Sequence, residues 1–398
     1  MPERKPSAAL LAPVLAGLAM AGPFSIDTYL PSFPAIARDF ALTPLELQQT
    51  MSVYLATFAV MMLFHGALSD SFGRRPVILA NLAVFMAATV GCALARDFAQ
   101  LLAFRAVQGF SAGAGIVVGR AIIRDAFEGH AAQRMLSLVT MIFGLAPAIA
   151  PVIGGWLQGR YGWRAIFLFL TCYGAVLFVV CLLRLPETHA RAERQPFAAG
   201  PLAANYWRLG RSRPLLLLSV ANGLNWAGGF LYVASAPAVI YGLLGLNEHQ
   251  FAVLFVPGIA GIMFGAYVSG RSAGRVTARR TVNVAYAVMF GAAVVNLAYH
   301  AHAAAALPWT VVPFMIYGVG MALAMPSIVL IALDLFPANR GLASSLQGFV
   351  QTGCGALTAG LVSPLVSAHG ASLALGMLAL VSAGWLAWAS YIRIAPHA

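Results

Sequence analysis

Apolar runs of about 20 residues recur along the whole chain, and about 20 residues is the length a helix needs to cross about 30 Å of hydrocarbon. They mark twelve spans: 9–31, 47–68, 77–95, 100–121, 135–157, 164–184, 214–240, 249–270, 281–299, 309–332, 342–366 and 371–393. Lipid offers the backbone no hydrogen-bond partners, so a spanning segment must be a helix or part of a closed barrel. Barrel strands would be about half as long and would alternate polar with apolar residues, which these runs do not. The expected fold class is an all-α polytopic membrane protein. Composition agrees, with 61% of the 398 residues hydrophobic and 9% charged, against about 45–50% and about 25% in soluble domains. The opening "MPERKPSAALLAPVLAGLAM" superficially resembles a signal peptide. Its apolar stretch is too long, however, and it runs on without a clear small-residue cleavage site. It is expected to be helix 1.

Orientation follows from the basic residues. Arg105 lies inside a span, and Arg38, Arg96, Arg160 and Arg164 fall in odd-to-even connections. The remaining nineteen of the 24 Lys and Arg residues lie at the termini or at even-to-odd connections. That bias places both termini in the cytoplasm, so the formal net charge of +12 reflects topology and does not imply nucleic-acid binding. An anionic lipid surface would meet this basic face. The four cysteines fall inside spans without metal-type spacing; buried thiols are expected, with no disulfide.

One connection is longer than the others, "LPETHARAERQPFAAGPLAANYWRLGRSRP" from Leu185 to Pro214. It divides the chain into a six-helix bundle (1–184), a cytoplasmic linker (185–213) and a second six-helix bundle (214–398). Such a layout suits transporter folds built from repeats. Two stretches at equivalent positions, "GALSDSFGRRPV" and "SGRSAGRVTARR", both combine glycine with clustered arginine.

Inside the spans, Asp27 in "FSIDTYLPSFPAI" has no basic partner along its own helix. A carboxylate in hydrocarbon costs about 2.5–3.5 kcal/mol on the mildest insertion scales. Asp27 lies about four residues before the expected end of helix 1, and Arg105 about five after the start of helix 4. At about 1.5 Å per residue, both sit roughly 6–8 Å below the same membrane edge. Desolvation and a neighbouring guanidinium act in opposite senses on a carboxyl, and their balance leaves it able to titrate. A permanent ion pair that only fixes two helices is the structural alternative. Gln108, three residues beyond Arg105, shares its helical face and would hold the guanidinium or contact a substrate.

Several linked motifs resemble the Major Facilitator Superfamily, and within it the twelve-helix drug:proton antiporters of the Bcr/CflA type. "GALSDSFGRRP" is similar to the superfamily loop motif, with Ser71 where a basic residue is common. "LLAFRAVQG" resembles the antiporters' helix-4 motif, and "GLAPAIAPVIGGW" their helix-5 motif with Ala150 in place of glycine. "SIDTYLPSFP" resembles their helix-1 element, and "LYVASAPAVIY" and "RGLASSLQGFVQ" their helix-7 and helix-11 segments.

The resemblance implies proton coupling through Asp27 and Arg105. It implies a conformational latch in Gly66, Asp70, Gly73, Arg74 and Arg75, with a merely topological role, positive-inside charge plus a turn, as the alternative; Asp70 would accept from a helix N-terminus, that of "PANRGLASS" with Asn339 as cap being the candidate. It also implies a helix-5 bend built on Gly144, Pro147, Pro151, Gly154 and Gly155 that seals the cavity against proton leak; ordinary close packing uses the same residues. Tyr29, Tyr54, Gln108, Asn222, Asn225, Trp226, Tyr232, Gln347 and Gln351 are the candidate substrate-cavity residues, with interhelical bonding the alternative for each, and Asn222/Trp226 and Gln347/Gln351 are i, i+4 neighbours. His65 is read as a packing residue.

The expected function is proton-driven efflux of drugs or other small organic molecules across the bacterial inner membrane by alternating access. Proton-coupled or facilitated transport of a metabolite is the alternative. A membrane enzyme would need a catalytic cluster, and the spans hold no H-E-x-x-H, no G-x-S-x-G and no grouped acids. The expected partners are a drug-like substrate, protons and the bilayer, with no cofactor, metal or nucleic acid, and the expected state is a monomer.

Overall fold

A computed structural model describes residues 8–194, 196–272 and 274–395; the basic N-terminal residues that entered the orientation argument lie outside them. Eleven helices among the described residues are long and apolar enough to cross a membrane, or twelve when one bent pair counts as a single span. The chain is a multi-pass, nearly all-helical membrane protein, as the apolar runs predict. It divides into two compact units, residues 1–40 with 53–199 and residues 41–52 with 200–398.

The first unit contains α1 (Ala8–Asp27), α2 (Phe33–Phe40), most of α3 (Pro44–Met62), α4 (His65–Phe72), α5 (Arg74–Leu94), α6 (Phe98–Ala112), α7 (Ala114–Ala126), α8 (Gly129–Tyr161) and α9 (Arg164–Arg184). α5 packs on α6 and α9, and α1 packs on α7 and α8. Leu11, Leu15 and Leu18 of α1 meet Ile78 and Leu82 of α5, Val118 and Ile122 of α7, and Cys181 of α9 in one buried apolar cluster. On α8 the exposed residues Leu138, Met141, Leu145, Ile149, Val152 and Trp156 recur at helical spacing. Acyl chains, not water, are the natural solvent of that stripe.

Two predicted spans differ in shape. The second was expected to run unbroken over 47–68, but α3 and α4 meet at a 49° bend. The bend turns His65 inward, where its Nε2 lies 3.1 Å from Asn81 Oδ1, so this histidine is a buried packing residue. The first span does not end at residue 31. After Asp27 the chain makes a short 3-10 turn (Leu30–Ser32) and continues as α2, giving a 30-residue apolar segment, Leu11–Phe40. Asp27 therefore lies at a break inside a longer apolar segment and not near its end.

The second unit contains α10 (Ala199–Gly210), α11 (Arg213–Ala234), α12 (Ala252–Ser272), α13 (Ala278–His302), α14 (Val312–Asp334), α15 (Arg340–Leu357), α16 (Ser363–Val366) and α17 (Gly370–Ile394). α14 packs on α12 and α13, and α11 packs on α15 and α17. α10 gives the central connection a helix that the sequence reading did not resolve. Residues 41–52 group here because Gln48 Nε2 donates to Ala234 O at 2.8 Å and Ser52 Oγ to Ala356 O at 2.9 Å. Two wide π-helical turns, Ala238–Leu243 and Thr358–Val362, interrupt the predicted spans 214–240 and 342–366. Cys92 and Cys181 are buried as expected, whereas Cys172 is exposed and Cys354 half-buried.

Candidate functional site

Asp27 closes α1 at the point where the α-helix gives way to the 3-10 turn, and only 4% of it is exposed. Among the described residues it is the one buried Asp or Glu. The backbone around it is held locally: Ser25 Oγ donates to Ala21 O at 2.7 Å and Thr28 Oγ1 to Phe24 O at 2.5 Å. Gly154 of α8 lies against the same turn, where an added Cβ would fall inside the van der Waals radius of the Thr28 carbonyl oxygen. That contact explains why glycine stands there: α8 crosses α1 with backbone touching backbone.

Arg105 of α6 is fully buried and slotted between two aromatic faces, with Cζ 4.7 Å from the Tyr29 ring centroid and 4.4 Å from that of Tyr54. Its Nη1 donates to Ser25 O at 3.2 Å and to Gln108 Oε1 at 2.5 Å. Gln108 passes the chain on, donating from Nε2 to Thr89 Oγ1 of α5 at 2.9 Å, and Thr89 donates to Phe85 O at 2.6 Å. Tyr54 donates its hydroxyl to Gly22 O at 3.2 Å. Both Asp27 and Arg105 lie within electrostatic reach of that hydroxyl. A planar cation between two rings, with donors left over for oxygen acceptors, is an arrangement suited to Arg and unavailable to Lys.

Sequence reasoning therefore brings Asp27, Arg105 and Gln108 to one place, α1 against α6. Among the described residues, however, no ion pair joins Asp27 to Arg105. The expected pair of opposite charges is a buried acid beside a separately housed cation. Tyr29, Tyr54 and Gln108, expected in the substrate cavity, have internal commitments instead: two rings to the guanidinium, and both ends of one amide to Arg105 and Thr89. Helical periodicity shows which residues share a face but not which neighbour occupies it. Gly109, the last residue of the helix-4 motif, packs against the backbone of α3. A Cβ there would collide with Tyr54 O, so this glycine lets α6 close on α3.

The loop motif forms a second charged cluster. Gly73 takes φ 101°, a conformation glycine adopts readily, between α4 and α5. Arg74 bonds Asp70 through Nη1, Ser69 Oγ at 2.7 Å, and Asp125 Oδ2 of α7 at 2.9 Å. Arg75 donates to Leu182 O at 2.7 Å. Within its own unit, Asp70 is engaged by Arg74, four residues on. Asn339 makes no side-chain cap. Gly66 opens on α7, with Val117 the nearest side chain.

In the helix-5 motif, Pro147 and Pro151 sit within the single helix α8, Gly154 and Gly155 are buried, and nothing lies within 4 Å of a Cβ added at Gly144.

In the second unit, Asn222 Nδ2 of α11 donates to Gln351 Oε1 of α15 at 3.2 Å. Trp226 stacks on Phe230 at 4.5 Å. Gln347 is 3% exposed, and neither of its amide atoms has a partner among the described residues. Tyr232 is turned inward: it accepts from Asn296 Nδ2 and stacks on Phe314 at 5.2 Å. Asn225 is buried beside Tyr286 and Gly384.

The sequence model of the Major Facilitator Superfamily matches residues 15–359. The chain belongs to the Major Facilitator Superfamily. Relatives within it include a bicyclomycin resistance protein homolog of Haemophilus influenzae, 29% identical over 91% of this chain and 93% of that one. The multidrug resistance protein MdtL of Escherichia coli is 31% identical over 84% of this chain and 83% of its own. The uncharacterized MFS-type transporter YdgK of Bacillus subtilis is 32% identical over 89% and 88%. The fold is that of a bacterial homolog of the human lysosomal transporter Spinster, at TM-score 0.73 and 16% identity over 98% of this chain and 97% of that one. The human organic anion transporter MFSD10 gives TM-score 0.70 at 16% identity over 97% and 99%. The chain is thus a Major Facilitator transporter, not an enzyme.

Within this superfamily member, the sequence reading missed Glu187. Its Oε1 accepts from the Arg74 backbone N–H at 3.0 Å, capping the first turn of α5, and its Oε2 pairs with Arg194 at 3.1 Å. The available signal was an acid three residues beyond the end of span 6, directly after proline. Glu187→Gln is expected to cost about 1 kcal/mol, the scale of a lost N-terminal cap. A fall in the melting temperature of the purified protein, with Asp125→Asn falling further, would show it; an unchanged melting temperature would remove the cap from the argument.

Proposed function

We propose that this transporter exports drug-like small organic molecules across the bacterial inner membrane in exchange for protons, by alternating access, with both termini in the cytoplasm. The observation that carries the reading is Asp27: a carboxylate buried in a spanning segment, placed at a helix break, without an ion pair to the nearby guanidinium. A buried charge in a membrane helix is expensive and is ordinarily retained for function. Held apart from Arg105, the carboxyl is free to gain and lose a proton without dismantling the stack that houses the cation. The resistance named in the Haemophilus and Escherichia relatives supports export and a drug-like substrate. In the second unit, Asn222, Trp226, Gln347 and Gln351 offer amide groups and one aromatic face as the substrate-facing set. Asp70, Arg74 and Arg75 serve as the conformational latch, and the small residues of α8 as the seal.

The test is Asp27→Asn, isosteric and unable to ionise, expressed beside the wild type at equal membrane levels in a host stripped of its own pumps. Across a broad antibiotic panel, protection by the wild type should fall to background in the variant. Drug-induced proton release should vanish with it. Equal protection by both would remove Asp27 from coupling. Protection by neither would turn the reading toward metabolite transport.

A further inference from the structure

The helix α10 (Ala199–Gly210) has two unlike faces. Leu202, Asn205, Tyr206 and Leu209 recur at helical spacing on the inward side. Leu209 is buried, and Tyr206 reaches the side chain of Ser345 on α15, which fixes how the helix is rolled. The opposite side presents Ala203, Ala204, Trp207, Arg208 and, one turn on, Arg211, all exposed. Trp207 is 69% exposed, and the Arg211 guanidinium lies over its ring at 5.5 Å from the centroid.

Charge and tether both indicate what covers this face. No Asp or Glu occurs between Glu193 and Glu248, while Arg194, Arg208, Arg211 and Arg213 all fall in that interval. The last residue of α10, Gly210, precedes the first of α11, Arg213, by three positions, which hold it within about 10 Å even when fully extended. α11 is a membrane span, so the last turn of α10, with Trp207, lies at the membrane edge. Indole rings settle at headgroup depth, and guanidinium groups match phosphate in a two-pronged geometry that ammonium cannot. A basic amphipathic helix in that position meets lipid phosphates before it meets anything else.

We propose that the outer face of α10 docks on the bilayer surface and binds anionic lipid headgroups, with Trp207 seated at the interface and Arg208, Arg211 and Arg213 on the phosphates. Full-length protein with the four native cysteines replaced and Ala203→Cys labelled with an environment-sensitive fluorophore is reconstituted in nanodiscs, either of phosphatidylcholine alone or mixed with phosphatidylglycerol. The emission should shift to the blue and be quenched by nitroxide-bearing lipid, more strongly with phosphatidylglycerol and less in high salt. In R208Q/R211Q/R213Q the dependence on phosphatidylglycerol should be lost. Native mass spectrometry of otherwise unmodified protein gives an independent count: the triple variant should retain fewer phosphatidylglycerol molecules than the wild type. A water-like probe in both lipids overturns the proposal, as does a phosphatidylglycerol response that survives the triple substitution. Emission that follows protein concentration instead of lipid composition would assign the face to a second copy and overturn it too.

Discussion

Arg105→Lys is expected to abolish transport although it keeps the charge. The guanidinium is gripped by two ring faces at 4.7 and 4.4 Å and donates to Ser25 O and Gln108 at the same time. An ammonium lacks the plane that stacks between the two rings while its edge donates to oxygen acceptors. Charged hydrogen bonds contribute about 1.5–3 kcal/mol each, and a desolvated cation–π contact about 2. Losing even part of this leaves Gln108 and the Ser25 carbonyl without a donor in a buried place. A loss of about 3 kcal/mol would cut the population of the assembled site more than roughly a hundred-fold. Resistance at matched membrane levels, and the melting temperature of purified protein, should both fall. Wild-type activity in the lysine variant would mean that the aromatic slot is incidental.

The second large effect is a contrast between two glycines of one motif. At Gly154 a side chain would be driven into the Thr28 carbonyl, and backbone cannot move aside as a flexible side chain can. Overpacking typically costs about 1–3 kcal/mol where neighbours can yield, and here α1 and α8 must separate. Gly154→Val should leave little folded protein in the membrane, as read by size-exclusion of a fluorescent fusion. Gly144→Ala should fold as well as the wild type or better by up to about 1 kcal/mol, because nothing lies near its Cβ and a mid-helix glycine is costly. If both variants fold alike, the close crossing does not hold the unit together.

The class of fold was legible because lipid imposes one length on every span, and twelve runs of that length leave little choice. Less legible was how spans are interrupted. Nothing in the apolar count marks the bend between Met62 and His65, the π turns after Pro237 and Leu357, or the continuation of helix 1 beyond Asp27 to Phe40. Those depend on tertiary partners, such as Asn81 for His65. The meeting of Asp27, Arg105 and Gln108 was legible, since polar residues in lipid stand out against a uniform background. Their pairing was not: Tyr29 and Tyr54 read as cavity lining when seen one helix at a time, and only packing shows them closing on Arg105. Asp70 illustrates the same limit, finding Arg74 within its own turn of chain. Gln347 is the converse case, a residue singled out by pattern whose amide has no partner among the described residues.

The separate housing of Asp27 and Arg105 has an electrical consequence. A guanidinium does not deprotonate in proteins, so the buried pair has just two charge states, zero with the acid ionised and plus one with it protonated. A membrane potential exerts no net force on the first and drives the second, at about 2.3 kcal/mol per 100 mV for a charge that traverses the full field. On the proposed coupling through Asp27, voltage would act on this pair only in the proton-loaded form, and on the drug-loaded return the pair itself would add no net charge.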